Sequence, residues 1–174
     1  MTINIKLVDE YPKEFFDILV KKNLEADGIF IPSWEYYFEG DCTFEQKGKT
    51  VRVGAYDGDK LIGLSWGRAE TKNRFMMYMS LVEGPYRGQG IYKRMLEMII
   101  ENTKEFDEVD SCHHILNNKI LVLKLKEDFH IIGMDNTTML GPRVKLRYFH
   151  NKKLFEIMKY RVGLRENPVS ELRN

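Results

Sequence analysis

The stretch GPYRGQGIYKRML, residues 84–96, sets the reading of this 174-residue chain. Glycine stands at 84, 88 and 90 and proline at 85, a density that interrupts regular structure. Directly after it, Ile91, Met95, Leu96, Ile99 and Ile100 recur on one side of a helix predicted over 91–104. Lys93, Arg94, Glu97, Glu101 and Lys104 take the other side. Directly before it, RFMMYMSLV (74–82) is apolar enough to be expected as a strand buried on both faces. A loop that leaves a strand and enters a helix presents the unpaired N–H groups of the first turn and the positive end of the helix dipole, a combination that favours an anion. Gly88 and Gly90 permit positive φ and close approach of a ligand to the backbone, and Arg87 adds a guanidinium fork suited to phosphate. The segment has the chemistry of a phosphate cradle. It is not a dinucleotide fingerprint, because Lys93 stands where the third glycine would be, and nothing matches a P-loop.

Outward from this point the pattern alternates between strand and helix. INIKLVD (3–9) is a strand, followed by a helix over 12–25 with Pro12 in its first turn. Ser33 can cap a short helix bearing Trp34, Tyr36, Tyr37 and Phe38. VRVGAY (51–56) and LIGLSWG (61–67) flank the turn DGDK and form a hairpin. EVDSCHHIL (108–116) is a strand. NNKILVLKLKED (117–128) alternates leucine and lysine as a strand does, but its good helix formers and Asn117 as a cap favour a helix. Two more strands, in FHIIGMD and TMLGPRVKLRYF, and a helix over 151–161 complete the chain. This order is a mixed α/β layer fold, expected as a single domain over 1–174 in which 150–174 is a C-terminal helix and tail.

Composition narrows the class. Twenty-seven basic against 26 acidic residues leave a net charge of +1, which disfavours a general nucleic-acid binder. The region 143–174 is nonetheless basic, and a solvated helix face is its commonest explanation. Cys42 and Cys112 match neither a zinc spacing nor a disulfide scaffold, so no metal is expected, and with no signal peptide or membrane-length apolar run the expected location is cytoplasmic.

The segment VEGPYRGQGIY (82–92) fits R-x-x-G-x-[G/A] after a strand and resembles the acetyl-CoA pyrophosphate loop of the GNAT superfamily of N-acetyltransferases. NNKILVLKLKEDFHIIG is similar to that superfamily's second signature, an asparagine opening a helix that ends at a phenylalanine-led strand. The likeness implies a mostly antiparallel central sheet flanked by helices and splayed at an acetyl-CoA site. It also implies transfer of acetyl from acetyl-CoA, as co-substrate, to a primary amine by direct attack. Arg87, Gly88, Gln89, Gly90, Ile91 and Tyr92 would then hold the pyrophosphate, and Leu81 and Val82 would pair with the pantetheine arm, with the Val82 region donating to the oxyanion. Asn117 would contact the cofactor, and Lys124 stands where the family often has a tyrosine that protonates the departing thiolate. Tyr92 departs from the usual small residue, and Asp128 replaces the glycine of the family's Gly-Phe pair. The 74–82 strand carries no carboxylate, so the candidate bases are Glu70, Asp110 and His114, although a strand histidine is more often only hydrogen-bonded. Cys112 is more often apolar filler than nucleophile, and Met76, Met77 and Met79 more often core than acceptor pocket. The aromatic segment 29–38 can shape an acceptor site or a core, and Glu25, Asp27, Glu35, Glu39, Asp41 and Glu45 can attract a cation or simply face water. The expected partners are a small-molecule or peptide amine acceptor and, in a homodimer, a second copy, with no nucleic acid and no membrane. The rival reading is a non-catalytic acyl-CoA-binding sensor or interaction module.

Overall fold

The computed structural model describes residues 2–15, 18–19, 48–137 and 140–164. Alternation of apolar side chains produces seven strands: β1 (Asn4–Leu7), β2 (Thr50–Asp57), β3 (Lys60–Thr71), β4 (Arg74–Val82), β5 (Glu108–His114), β6 (His130–Thr137) and β7 (Gly141–Phe149). They form one sheet in the order β1-β2-β3-β4-β5-β7-β6, in which β4 and β5 are parallel and every other pair is antiparallel. Three helices complete the described elements: α1 (Ile91–Glu101), α2 (Asn118–Lys126) and α3 (Lys152–Arg161). Residues 13–15 and 18–19 are helical, within the expected 12–25 helix. The Ser33-capped helix, the aromatic segment 29–38 and the six acidic residues from Glu25 to Glu45 lie outside the described residues.

One sheet face carries Val53, Ala55, Ile62, Phe75, Met77, Val82, Val109 and Leu146 and packs against Ile91, Met95, Leu96 and Ile99 of α1 and Leu121 and Leu123 of α2. Burying an aliphatic side chain contributes about 1.5–3 kcal/mol, so the four α1 residues fix this helix, and with it the position of its N-terminus. The opposite face gathers Leu19, Tyr56, Leu61 and Leu64 with Tyr11, Phe15, Trp66, Met79 and Leu81. Glycine is required at position 67, where a Cβ would lie 2.2 Å from the Met76 carbonyl oxygen and 2.5 Å from the Phe75 ring.

Three local expectations change. α1 stops at Glu101 rather than 104, because the Asn102 amide side chain bonds back to the Met98 carbonyl at 2.8 Å and closes the last turn. The ambiguous 117–128 segment is helical, but the Asn117 side chain makes no capping bond. β4 is not buried on both faces: Phe75, Met77 and Val82 are buried while Tyr78 is 42% exposed, for a reason that lies in its pairing with β5.

Candidate functional site

β4 and β5 pair only from Arg74–Met77 against Glu108–Ser111, although β4 runs on to Val82 and β5 to His114. Each strand stays bonded on its outer side, β4 to β3 and β5 to β7. The two therefore diverge as the arms of a fork whose vertex is the Met77–Ser111 pair. A β-bulge helps open it. Trp66 pairs with Met79 but Gly67 pairs with Met77, so Tyr78 is an extra residue in β4. The bulge moves Tyr78 onto the Trp66 face, where the two rings stack at 5.2 Å. The edge from Tyr78 to Val82 is left with no neighbouring strand, which is the geometry that accepts an extended ligand as an added strand.

At the open end, Val82 leads into the short 3₁₀ turn Gly84–Tyr86 and then into α1. This turn is pinned to the β2–β3 hairpin. Lys60 pairs with Glu83 at 2.7 Å, and the Tyr86 hydroxyl donates to Asp57 at 2.8 Å. Gly88 and Gly90 have φ of 79° and 75°, the left-handed region that a side chain resists. A Cβ at either glycine would meet nothing within 4 Å, so open space lies in front of this backbone. Gly90 occupies the N-cap of α1 with no side-chain cap, and no acidic residue lies in the first turn. The first helical N–H with a backbone acceptor is that of Arg94, bonded to Gly90. The N–H groups from Gly88 to Tyr92 have no acceptor among the described residues. An anion is the natural group to satisfy them. By its open glycines, its unspent donors and the lack of a competing carboxylate, this cradle fits a pyrophosphate.

Arg87 is exposed beside the cradle. Its Nε donates to the Val82 carbonyl at 3.0 Å, which ties the loop to the end of β4. Gln89 likewise bonds back, from Nε2 to the Pro85 carbonyl at 3.2 Å. Leu81 and Val82 lie on the free arm of β4, with Leu81 in the second core cluster and Val82 in the first. Ile91 is core. Tyr92 lies in the first turn of α1; its ring packs inward, and its hydroxyl is buried facing Ser80 with no well-formed hydrogen bond. Ser80 Oγ is already paired with Ser65 Oγ at 2.8 Å. Burial raises the phenol's pKa. Asn117 is exposed at the start of α2.

The vertex holds the unusual chemistry. Lys124 is wholly buried, with Nζ donating to Met77 Sδ at 3.1 Å and lying 3.9 Å from the centre of the Phe129 ring. Burial holds its amine well below the ordinary lysine value. The helix end explains how a lysine comes to be there. The Phe129 N–H bonds to the Lys124 carbonyl at 3.0 Å, and Asp128 between them has φ of 60°. This is a Schellman-type end, in which aspartate takes the left-handed position that glycine commonly fills. Such an end presses the third residue from the C-cap against the second residue beyond it. Here those residues are Lys124 and Phe129, so the lysine is forced into an apolar contact.

On β5 the histidine that faces this vertex is His113, not His114. Alternation says that only one of the pair can point inward but not which. His113 is largely buried, and its Nε2 has no hydrogen-bond partner. Burial and, secondarily, the charge of Lys124 pull its pKa down to about 3. Ser111, two residues before it on the same face, also has an unpartnered buried hydroxyl. His114 is exposed at the tip of the arm, where Nδ1 accepts the Leu116 N–H at 3.3 Å. Glu70 is also displaced from its expected role. It pairs with Arg74 at 3.3 Å beyond the closed end of the fork, three to four strand residues from Tyr78, or roughly 10–14 Å. Asp110 is held by Arg147 through two bonds of 2.6 and 2.7 Å. Cys112 is a free thiol whose pKa burial pushes up. The basic run on β7 is internally matched, Arg147 by Glu108 and Asp110, and Arg143 and Lys145 by Asp135. Among the described residues there is no metal-binding group of His, Cys, Asp or Glu, and no helix is long and apolar enough to cross a membrane.

The overall fold has known counterparts. The IAA acetyltransferase from Bacillus cereus is similar at 19% identity and a TM-score of 0.64, over 85% of this chain and 99% of that one. The NatC complex bound to Gag peptide and CoA contains a chain similar at 23% identity and a TM-score of 0.64, over 86% and 99%. A GNAT family acetyltransferase from Elizabethkingia anophelis with acetyl-CoA bound is similar at 16% identity and a TM-score of 0.63, over 84% and 97%. No protein-family model and no curated protein matches the sequence. The chain has the fold of the GNAT acetyltransferases.

Proposed function

We propose that this protein is an N-acetyltransferase that moves the acetyl group of acetyl-CoA to a primary amine by direct attack. The observation that carries this reading is the β4–β5 fork with an open N–H cradle at its mouth. The N–H groups of Gly88 to Tyr92 bind the pyrophosphate, with Arg87 holding the loop in shape. The free edge from Tyr78 to Val82 binds the pantetheine arm and directs it toward Met77. Acetyl-CoA supplies a thioester already activated toward amines. A backbone N–H of the free β4 arm near Val82 donates to the carbonyl oxygen as negative charge gathers there. Lys124 Nζ, whose pKa burial lowers, accepts a proton released at the vertex and passes it to sulfur. The neighbours in complex with CoA and with Gag peptide support the choice of cofactor and of an amine acceptor. The acceptor is a small molecule or a peptide, and the protein works in the cytoplasm.

The experiment is release of CoA thiol from acetyl-CoA on adding pooled amines and peptides, alongside calorimetric CoA binding. Amine-dependent thiol release supports the transferase. CoA binding with no release from any amine would favour the sensor. Arg87→Glu, which reverses a charge at the cradle and frees the loop from Val82, is expected to weaken CoA binding at least tenfold; unchanged affinity would remove the loop from the site.

A further inference from the structure

A lysine is an unusual occupant of a fork vertex. Its chain is completely buried, and among the described residues no carboxylate pairs with Nζ. Its neighbours from the surrounding elements are the Met77 thioether on β4, the Phe129 ring after α2, and His113 on β5. A thioether and a ring face take up N–H groups, which leaves the nitrogen lone pair uncommitted. A desolvated lysine in an apolar pocket is an activated nucleophile. The vertex is also where the free edge of β4 directs an extended ligand. An acceptor amine and Lys124 therefore compete for the same carbonyl.

We propose that Lys124 is itself an acyl acceptor, and that acetyl-CoA bound without an acceptor amine acetylates Nζ and closes the site. The inference rests on the transferase reading above, because it needs the thioester at the fork vertex. In the step, the Nζ lone pair forms a bond to the acetyl carbon as the carbon–sulfur bond breaks and its electron pair leaves on sulfur. The proton lost from Nζ passes to the departing sulfur. The products are N-acetylated Lys124 and CoA thiol. An amide does not return its acetyl group to an incoming amine, so the modification is an end point and not an intermediate. It removes the lone pair and adds the bulk of an acetyl group beside Met77 and Phe129, in the space that a second thioester needs. A protein built this way records acetyl-CoA abundance in the absence of acceptor by shutting itself off.

The test is incubation of the full chain with acetyl-CoA and no amine, followed by intact mass and peptide mapping, with CoA binding measured separately by calorimetry. The expected result is one added acetyl group on the Lys124 peptide, at a rate independent of protein concentration and absent from Lys124→Met. CoA binding with Lys124 unmodified, with acetyl groups only on surface lysines, or with a rate that rises with protein concentration overturns this inference and leaves the transferase reading standing. Failure of CoA to bind overturns both.

Discussion

Replacing Lys124 by methionine should stabilise the protein, and the gain should vanish as the pH rises. Methionine is unbranched and of similar length, so it fills the same space between Met77 and Phe129 without a titratable group. In the folded wild type the amine is held well below its ordinary value of 10.5 by burial, whereas in the unfolded chain it titrates normally. Between those two values the unfolded state binds more protons than the folded one, so wild-type stability climbs with pH across that window. The slope is about 1.4 kcal/mol per pH unit for one group. The methionine variant lacks this slope, so its advantage should shrink by about that amount per pH unit up to 10.5, then level off. Loss of the N–H···S contact shifts the whole difference curve by a constant and leaves its slope untouched. Tyrosines and Cys112 titrate in both proteins and cancel. His113 lies outside the window, since its folded value of about 3 and its ordinary 6.5 are both lower than the range measured. The assay is urea unfolding of both proteins from pH 7.5 to 10.5, with free energies extrapolated to water. Parallel curves would refute the reasoning, because they would mean that Lys124 is charged and hydrated in the folded protein.

Two further outcomes test the architecture. Gly90→Ala forces an alanine to φ near 75°, a strain of about 1–2 kcal/mol, but its Cβ meets no atom. Circular dichroism should therefore remain that of the wild type while calorimetry shows weaker CoA binding; undiminished affinity would show that the cradle is not used. Gly67→Ala places a Cβ against the Met76 carbonyl and the Phe75 ring, and overpacking of this kind costs about 1–3 kcal/mol or more. A melting temperature equal to the wild type's would mean that the β3–β4 pairing is looser than described.

Much of this architecture can be read from local sequence because it is set by local physics. The strand entering GPYRGQG, the helix leaving it and the two positive-φ glycines follow from hydrophobic period and from the conformations that only glycine adopts freely. The leucine–lysine alternation of α2 misleads as a strand signal, and helix propensity resolves it correctly. The choice between His113 and His114 could not be made from the chain alone, because β5 could present either face until α1 and α2 packed on one of them. Glu70 looked close to the site on the sequence, yet β3 runs antiparallel to β4 and carries it past the closed end of the fork. Once Val109 is known to be buried, its spacing places His113 on the same face, two alternations further along β5.

The sequence, then, is sufficient for the elements, their order and the anion-binding loop, since each depends on residues within about one helical turn or strand pleat of each other. The tertiary structure alone decides where β4 and β5 part, because that depends on the Tyr78 bulge and on pairing between segments some thirty residues apart. It alone also decides the chemistry of Lys124. A lysine on an isolated amphipathic helix would keep its charge in water. Here the Schellman end of α2 turns it against Phe129, the fork closes over it at Met77, and desolvation holds its amine well below the ordinary lysine value.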